Sequence, residues 1–123
     1  CKHLIKRVIS DNPSIYTTDF KTKCKSGYYK GALTVVPFDN YHFYRQDAPK
    51  NNSNQGYFSS KDGSRPVTDL DASGNLIHDV RKADRKYKHS NFSDFCSYFC
   101  VPSNKTKKTW MGRNWGDEVL YKV

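Results

Sequence analysis

A chain of 123 residues with 36% hydrophobic content has room for one modest domain. Its mean hydropathy of -0.88 and the lack of any apolar run of bilayer length exclude a spanning helix. A formal charge of +9, from 21 Lys and Arg against 12 Asp and Glu, turns attention to polyanionic partners: RNA, DNA or an acidic surface. Nine Tyr and seven Phe predict a core built from rings, which bury much area per residue.

The first ten residues set Leu4, Ile5, Val8 and Ile9 among Lys2, Lys6 and Arg7, and read as a strand or a short hairpin arm. The start at Cys1, with the single Met internal, is what a mature or trimmed product would show. Asp11-Asn12-Pro13 is a helix-start signal: Asn12 can cap, and Pro13 suits the first helical position because its missing N–H would be an orphan there. The spacing predicts a helix over Pro13–Lys25, with Tyr16, Phe20 and Cys24 on one face. Lys21, Lys23 and Lys25 would oppose its dipole, and Gly27 would end it.

Leu33 to Val36 reads as a strand stopped by Pro37, and Tyr41 to Arg45 as its successor. Gln46 to Gln55 is polar and reads as a loop. Gly56-Tyr57-Phe58 is a short strand. The stretch Arg65–Lys82 organises the chain as a β-hairpin. Val67 and Leu70 stand on one side of the turn, and Leu76, Ile77 and Val80 on the other. Asp71, Ser73, Gly74 and Asn75 supply the turn chemistry. Phe92 to Val101 reads as the last core strand. No repeat and no second domain is visible. Residues 1–102 form the domain, and 103–123 a C-terminal extension docked on it, with Trp110 and Trp115 as anchors.

Four cysteines, Cys1, Cys24, Cys96 and Cys100, form no C-x-x-C and have no His at zinc-ligand spacing, so no metal is expected. An even count in a small chain suits an oxidising compartment. Pairing of Cys1 with Cys96 or with Cys100 would tie the two ends of the domain, with a stabilisation of roughly 4–5 kcal/mol in the chain-entropy account. Asn51, Asn91 and Asn104 each open an N-x-Ser/Thr sequon, compatible with secretion.

Between Arg81 and His89, five of nine residues are Lys or Arg. As an electrostatic footprint, Arg81, Lys82, Arg85, Lys86 and Lys88 would contact phosphates or an acidic partner, together with Arg65, while Tyr87 would stack on a base. The plainer alternative is a solvated loop.

Several segments together resemble a known family. They are Ile15-x4-Phe20-x3-Cys24, Gly56-Tyr57-Phe58, Arg65-x-Val67-x-Asp69, Gly74-Asn75-Leu76-Ile77 and Phe92-x2-Phe95-Cys96. The order is similar to that of small secreted fungal guanyl-specific ribonucleases, and more so to their catalytically degenerate relatives, the ribonuclease-like (RALPH) effectors of powdery mildew fungi. The resemblance covers roughly residues 1–100. It implies an α+β fold: one helix packed on a twisted antiparallel sheet, ribonuclease-like and disulfide-braced.

The active ribonucleases use a strand His and a Glu as acid and base, an Arg before the hairpin and a His after it. RNA cleavage needs two proton-transfer groups and a cation for the developing charge. The Arg matches Arg65. The strand at Tyr28-Tyr29-Lys30 has no His, the strand Tyr41–Arg45 offers His42 and Arg45 but no carboxylate, and the last His falls near Lys82. The single Glu of the chain is Glu118, in the tail.

The function these features imply is that of a secreted, non-enzymatic virulence effector of a plant pathogen, monomeric and without cofactor. It would act in the host cell by binding a host protein or RNA, with recognition by a plant immune receptor as a further implication. The alternative is an active ribonuclease or ribotoxin with a rearranged acid–base pair drawn from His42, His78 and His89. A third reading makes the Trp110 and Trp115 tail a protein-binding surface.

Overall fold

The computed structural model describes residues 1–49, 56–61 and 66–103. Arg65, the two sequons at Asn51 and Asn104, and the tail beyond Ser103 lie outside the described residues.

The one helix among the described residues, α1 (Lys2–Asp11), falls where a strand or hairpin arm was expected. Leu4, Ile5, Val8 and Ile9 recur at i, i+1, i+4 and i+5, which places all four on one helical face. Leu4 and Val8 are buried, and Ile5 and Ile9 pack beside them. Pro13 follows the helix instead of opening it. Asn12 is the C-cap, its amide donating to the Val8 carbonyl at 3.0 Å. Proline just past a helix end is as compatible with the chemistry as proline at its start.

The helix expected over Pro13–Lys25 is absent. Ile15 is buried and leads into β1 (Tyr16–Thr18), and a turn follows in which the Thr22 amide donates to Asp19 Oδ1 at 2.6 Å. Tyr16, Phe20 and Cys24 share helical spacing by coincidence. Each is held by a tertiary partner: strand pairing opposite Cys100 for Tyr16, the Tyr98 ring for Phe20, and a disulfide to Cys100 for Cys24.

The remaining strands are β2 (Tyr28–Val36), β3 (Asn40–Gln46), β4 (Phe58–Ser59) and β5 (Asp94–Pro102). They form one antiparallel sheet in the order β1-β5-β2-β3-β4. The last strand in sequence is therefore inserted between β1 and β2. Residues Lys30 to Val35 of β2 are buried without interruption, because both faces of the sheet are covered. On one face, α1 and Ile15 pack on Leu33, Val35, Tyr41, Phe43, Phe99 and Val101. On the other, Ala32, Tyr44, Phe58 and Tyr98 lie under Ile77 and Val80 from the long β4–β5 connection. The helix-side cluster is mainly aliphatic, with three rings among nine buried residues, and only the other cluster is half rings, so the ring-built core expected from composition is met in part.

The hairpin expected over Arg65–Lys82 does not form regular strands. Its described part is an irregular cover tied down by single bridges, Ser60 with Thr68, Phe58 with Ile77, and Leu70 with Leu76. Ile77 and Val80 are buried, but Val67, Leu70 and Leu76 are exposed. The turn chemistry is as expected: Gly74 has φ of +84°, and Asp71 Oδ1 accepts from the amides of Ser73 and Asn75.

Two disulfides brace the layers, Cys1–Cys96 and Cys24–Cys100, with Cα separations of 5.4 and 5.5 Å. The first of the two expected pairings of Cys1 is therefore the one formed. The fold is α+β and disulfide-braced. Among the described residues no helix is long and apolar enough to cross a membrane.

Candidate polyanion interface

The residues singled out between Arg81 and Lys88 do not form one open basic surface. Arg85 is turned inward, its guanidinium donating to the carbonyls of Phe92 (2.8 Å), Val80, Arg81 (3.2 Å) and Ser93 (3.1 Å). It stitches the β4–β5 connection to the start of β5. Arg81 grips Asp79 in a two-pronged pair, Nε to Oδ1 at 3.1 Å and Nη2 to Oδ2 at 2.7 Å, and its guanidinium lies 5.3 Å from the Phe20 ring centre. Tyr87 is half-buried, its ring against His42 and Phe92 and its hydroxyl 3.0 Å from that of Tyr44. Burial raises the Tyr87 hydroxyl above its usual range. Lys82, Lys86 and Lys88 are exposed. Lys86 also donates its amide to Asp84 Oδ1.

Asp79 is nearly buried and carries more than the Arg81 pair. Tyr98 Oη donates to its Oδ1 at 2.7 Å and accepts the Val80 amide at 2.9 Å. Burial pushes this carboxyl up, but the hydrogen bonds from Arg81 and Tyr98 outweigh it and hold it at about 2. Burial and the same contact move the Tyr98 hydroxyl upward. The arrangement is a structural clasp between the sheet and its cover.

Positive charge converges elsewhere, at the end of the sheet where β2 begins and β3 ends. A cleft of about 410 Å3 is lined there by Lys21 and Lys23 from the β1–β2 connection, by Tyr28, Tyr29 and Lys30 from β2, and by Arg45 from β3. Among the described residues one carboxylate, Asp47, shares it. Lys21 and Lys23 are exposed. Lys30 is buried, with its ammonium donating to the carbonyls of Asp19 (2.7 Å) and Phe20 (2.6 Å), and burial lowers its pKa. It anchors the loop that presents the other two lysines. The Arg45 guanidinium sits 4.4 Å from the Tyr29 ring centre, and Lys25 Nζ 4.6 Å from that of Tyr28. Cys24–Cys100 pins the same loop to β5. The sequence showed these lysines as a helix end. Only the pairing of β2 with β3 brings Arg45 to them.

Two of the three histidines named for the alternative acid–base pair occupy different aromatic settings, and the third, His89, is exposed. His42 is buried, stacked on Phe92 at 4.9 Å and edge-on to Tyr44 at 5.0 Å. His78 is exposed between Phe20 and Tyr57. His42 opens on a second cleft of about 310 Å3, lined by Ser60, Pro66, Val67, Thr68, Tyr87 and Phe92. Among the described residues no group of three or more His, Cys, Asp or Glu is placed to hold a metal ion.

Among curated proteins the chain matches insoluble matrix shell protein 1 of Ruditapes philippinarum. The two are 41% identical over 70 residues. That span is 57% of this chain and 40% of the shell protein, so the chain accounts for well under half of that relative's length. No family model matches, and no solved structure matches.

Proposed function

We propose that this chain is a secreted, disulfide-braced module that works by binding a polyanion, without catalysis, at the cleft of Lys21, Lys23 and Arg45. The observation that carries the reading is the convergence of Lys21 and Lys23 from the β1–β2 connection and Arg45 from β3 on one cleft, against one carboxylate among the described residues. Isolated surface lysines repel one another and disperse, so a fixed concentration of like charge is the arrangement expected where a counter-charged polymer binds. Two disulfides, one on each side of the sheet, support an oxidising, extracellular setting. A relative named for an insoluble shell matrix supports the same setting.

The ribonuclease-like descent implied by the sequence resemblance belongs to this proposal, as a scaffold that binds and does not cut. Action in a host cell and recognition by an immune receptor are the effector form of the proposal, and the matched relative supports an extracellular ligand in preference to it.

The test is retention of the full, oxidised chain on an immobilised polyanion as salt is raised, beside a Lys21→Glu/Lys23→Glu variant. The expected result is affinity that falls linearly with the logarithm of salt, with a shallower slope in the variant because fewer counterions are released. Equal slopes would remove the cleft from the reading. Absence of retention at about 0.05 M salt would remove the polyanion.

A further inference from the structure

We infer that Asn91 is a modification site, the acceptor of an N-linked oligosaccharide on the loop that leads into β5. The inference rests on the extracellular setting proposed above and not on the polyanion.

Asn91-Phe92-Ser93 is the one N-x-Ser/Thr sequon among the described residues, since proline stands in the middle of Asn12-Pro13-Ser14. The fold fixes the backbone and the middle side chain of this tripeptide and leaves the Asn91 side chain out. The Asn91 carbonyl accepts the Ser93 amide at 2.8 Å, and the Phe92 amide donates to the Arg85 carbonyl at 3.1 Å. The Arg85 guanidinium donates to the carbonyls of Phe92 at 2.8 Å and of Ser93 at 3.1 Å. The Phe92 ring is buried and stacked on His42. Asn91 itself is exposed, and among the described residues its side-chain amide has no hydrogen-bond partner.

Asparagine is common in tight loops for two structural reasons, and neither operates here. It tolerates a left-handed backbone, but Phe38 is the one non-glycine residue with positive φ among the described residues. Its side chain also accepts backbone amides nearby. Asn40 does this for Tyr41, Asp71 for Ser73 and Asn75, Asp79 for Arg81, and Asp84 for Lys86. The Asn91 side chain does it for none, so the fold loses nothing when its amide is modified.

The transfer forms a bond between Asn91 Nδ2 and the anomeric carbon of the first sugar. It breaks the bond from that carbon to the pyrophosphate of a lipid-linked oligosaccharide donor. The lipid pyrophosphate leaves with the bonding electrons, and Nδ2 gives up one proton. The step precedes folding, because the Ser93 hydroxyl that completes the sequon donates to Asp94 Oδ1 at 3.0 Å once the fold is formed, and Phe92 is then sealed in the core. An oxidising secretory route serves both this transfer and the two cystines. β5 runs from Asp94, beside the sequon, to Pro102, which pairs with Tyr28 in the basic cleft. About 25 Å of strand separates the two ends. The glycan therefore stands clear of Lys21 and Lys23.

The experiment secretes the full chain from a eukaryotic cell and removes its glycans enzymatically, which converts each modified asparagine to aspartate for tandem mass spectrometry. Asn91 is expected to be converted in most molecules, and Ser93→Ala to abolish that conversion. A secreted chain with both cystines and an unmodified Asn91 would overturn the inference and leave the extracellular reading standing. A chain that is not exported with its cystines formed would overturn both. Made without glycans, Asn91→Gln should melt within about 3 °C of the parent, the range of a surface substitution. A larger fall would show that the amide serves the fold and would overturn the inference. Retention on an immobilised polyanion should have the same salt slope in the glycosylated parent and in Asn91→Gln; retention lost with the glycan present would overturn its placement.

Discussion

Cys96 and Cys100 lie four positions apart on one strand yet bond to opposite layers of the protein. Strict alternation would put both side chains on one face. The β2–β5 register shifts between Leu33 and Thr34, where Leu33 faces Ser97 and Thr34 faces Phe95, so Cys96 is the extra residue of a bulge. That one residue turns Cys96 toward the helix-side core, where it meets Cys1, while Cys100 stays on the side of Tyr98 and Lys30 and meets Cys24. Each cystine therefore clamps a different cover onto the same central strand.

The Cys1–Cys96 bond closes a loop with a sequence separation of 95. Replacing both by Ser is expected to cost roughly 4–5 kcal/mol in the chain-entropy account. The measurement is urea unfolding of the Cys1→Ser/Cys96→Ser variant. A midpoint equal to that of the parent would show that α1 is held by packing alone.

Arg85→Ala is expected to behave as a stability variant. It strips donors from the carbonyls of Phe92, Val80 and Ser93, and charged hydrogen bonds of this kind are worth about 1.5–3 kcal/mol in aggregate where part of the group meets solvent. The unfolding midpoint should fall, while the salt slope for polyanion binding stays that of the parent. A change of slope without a change of stability would return Arg85 to the binding surface.

Asp79 gives the fold an acid limit. Its carboxyl is held at about 2 against an ordinary value of 3.8. A depressed pKa favours the folded state at pH above the unfolded value. That contribution declines as pH falls below about 3.8 and is gone below about 2. Screening at the half-exposed Arg81 limits it to about 1–2 kcal/mol. Unfolding free energy measured from pH 6 to pH 2 should drop across that window in the parent, and less steeply in Asp79→Asn. An equal slope in both would assign acid sensitivity to other carboxylates.

Gly56→Ala should disturb the cleft from behind. A Cβ at Gly56 would collide with the carbonyl oxygen of Asp47, a backbone atom that cannot step aside. The Asp47 amide donates to the Tyr57 carbonyl at 2.8 Å across the same junction, so the strand end must shift. A loss of about 1–3 kcal/mol is expected, with weaker polyanion binding because Arg45 lies two residues from Asp47. Unchanged stability would mean that this junction opens without cost.

The family resemblance supplied the α+β class; the sequence by itself determined the Gly74 turn, which follows from local chemistry, and left Cys1 with Cys96 or Cys100 as its partner. It located β2, β3 and β5 through runs of apolar and aromatic residues. It misplaced the helix because Asn12-Pro13 caps an end as readily as a beginning, and because Leu4, Ile5, Val8 and Ile9 fit two periods over so short a span. It marked Arg81–Lys88 as a binding surface because density of charge along the chain is visible and the direction of a side chain is not. Tertiary structure decided that Arg85 faces inward, that a bulge sends Cys96 and Cys100 to opposite layers, and that Arg45 joins Lys21 and Lys23 at one cleft. The physical reason is common to all three: strand pairing and burial act between residues distant in sequence, and they override what neighbours in the chain prefer.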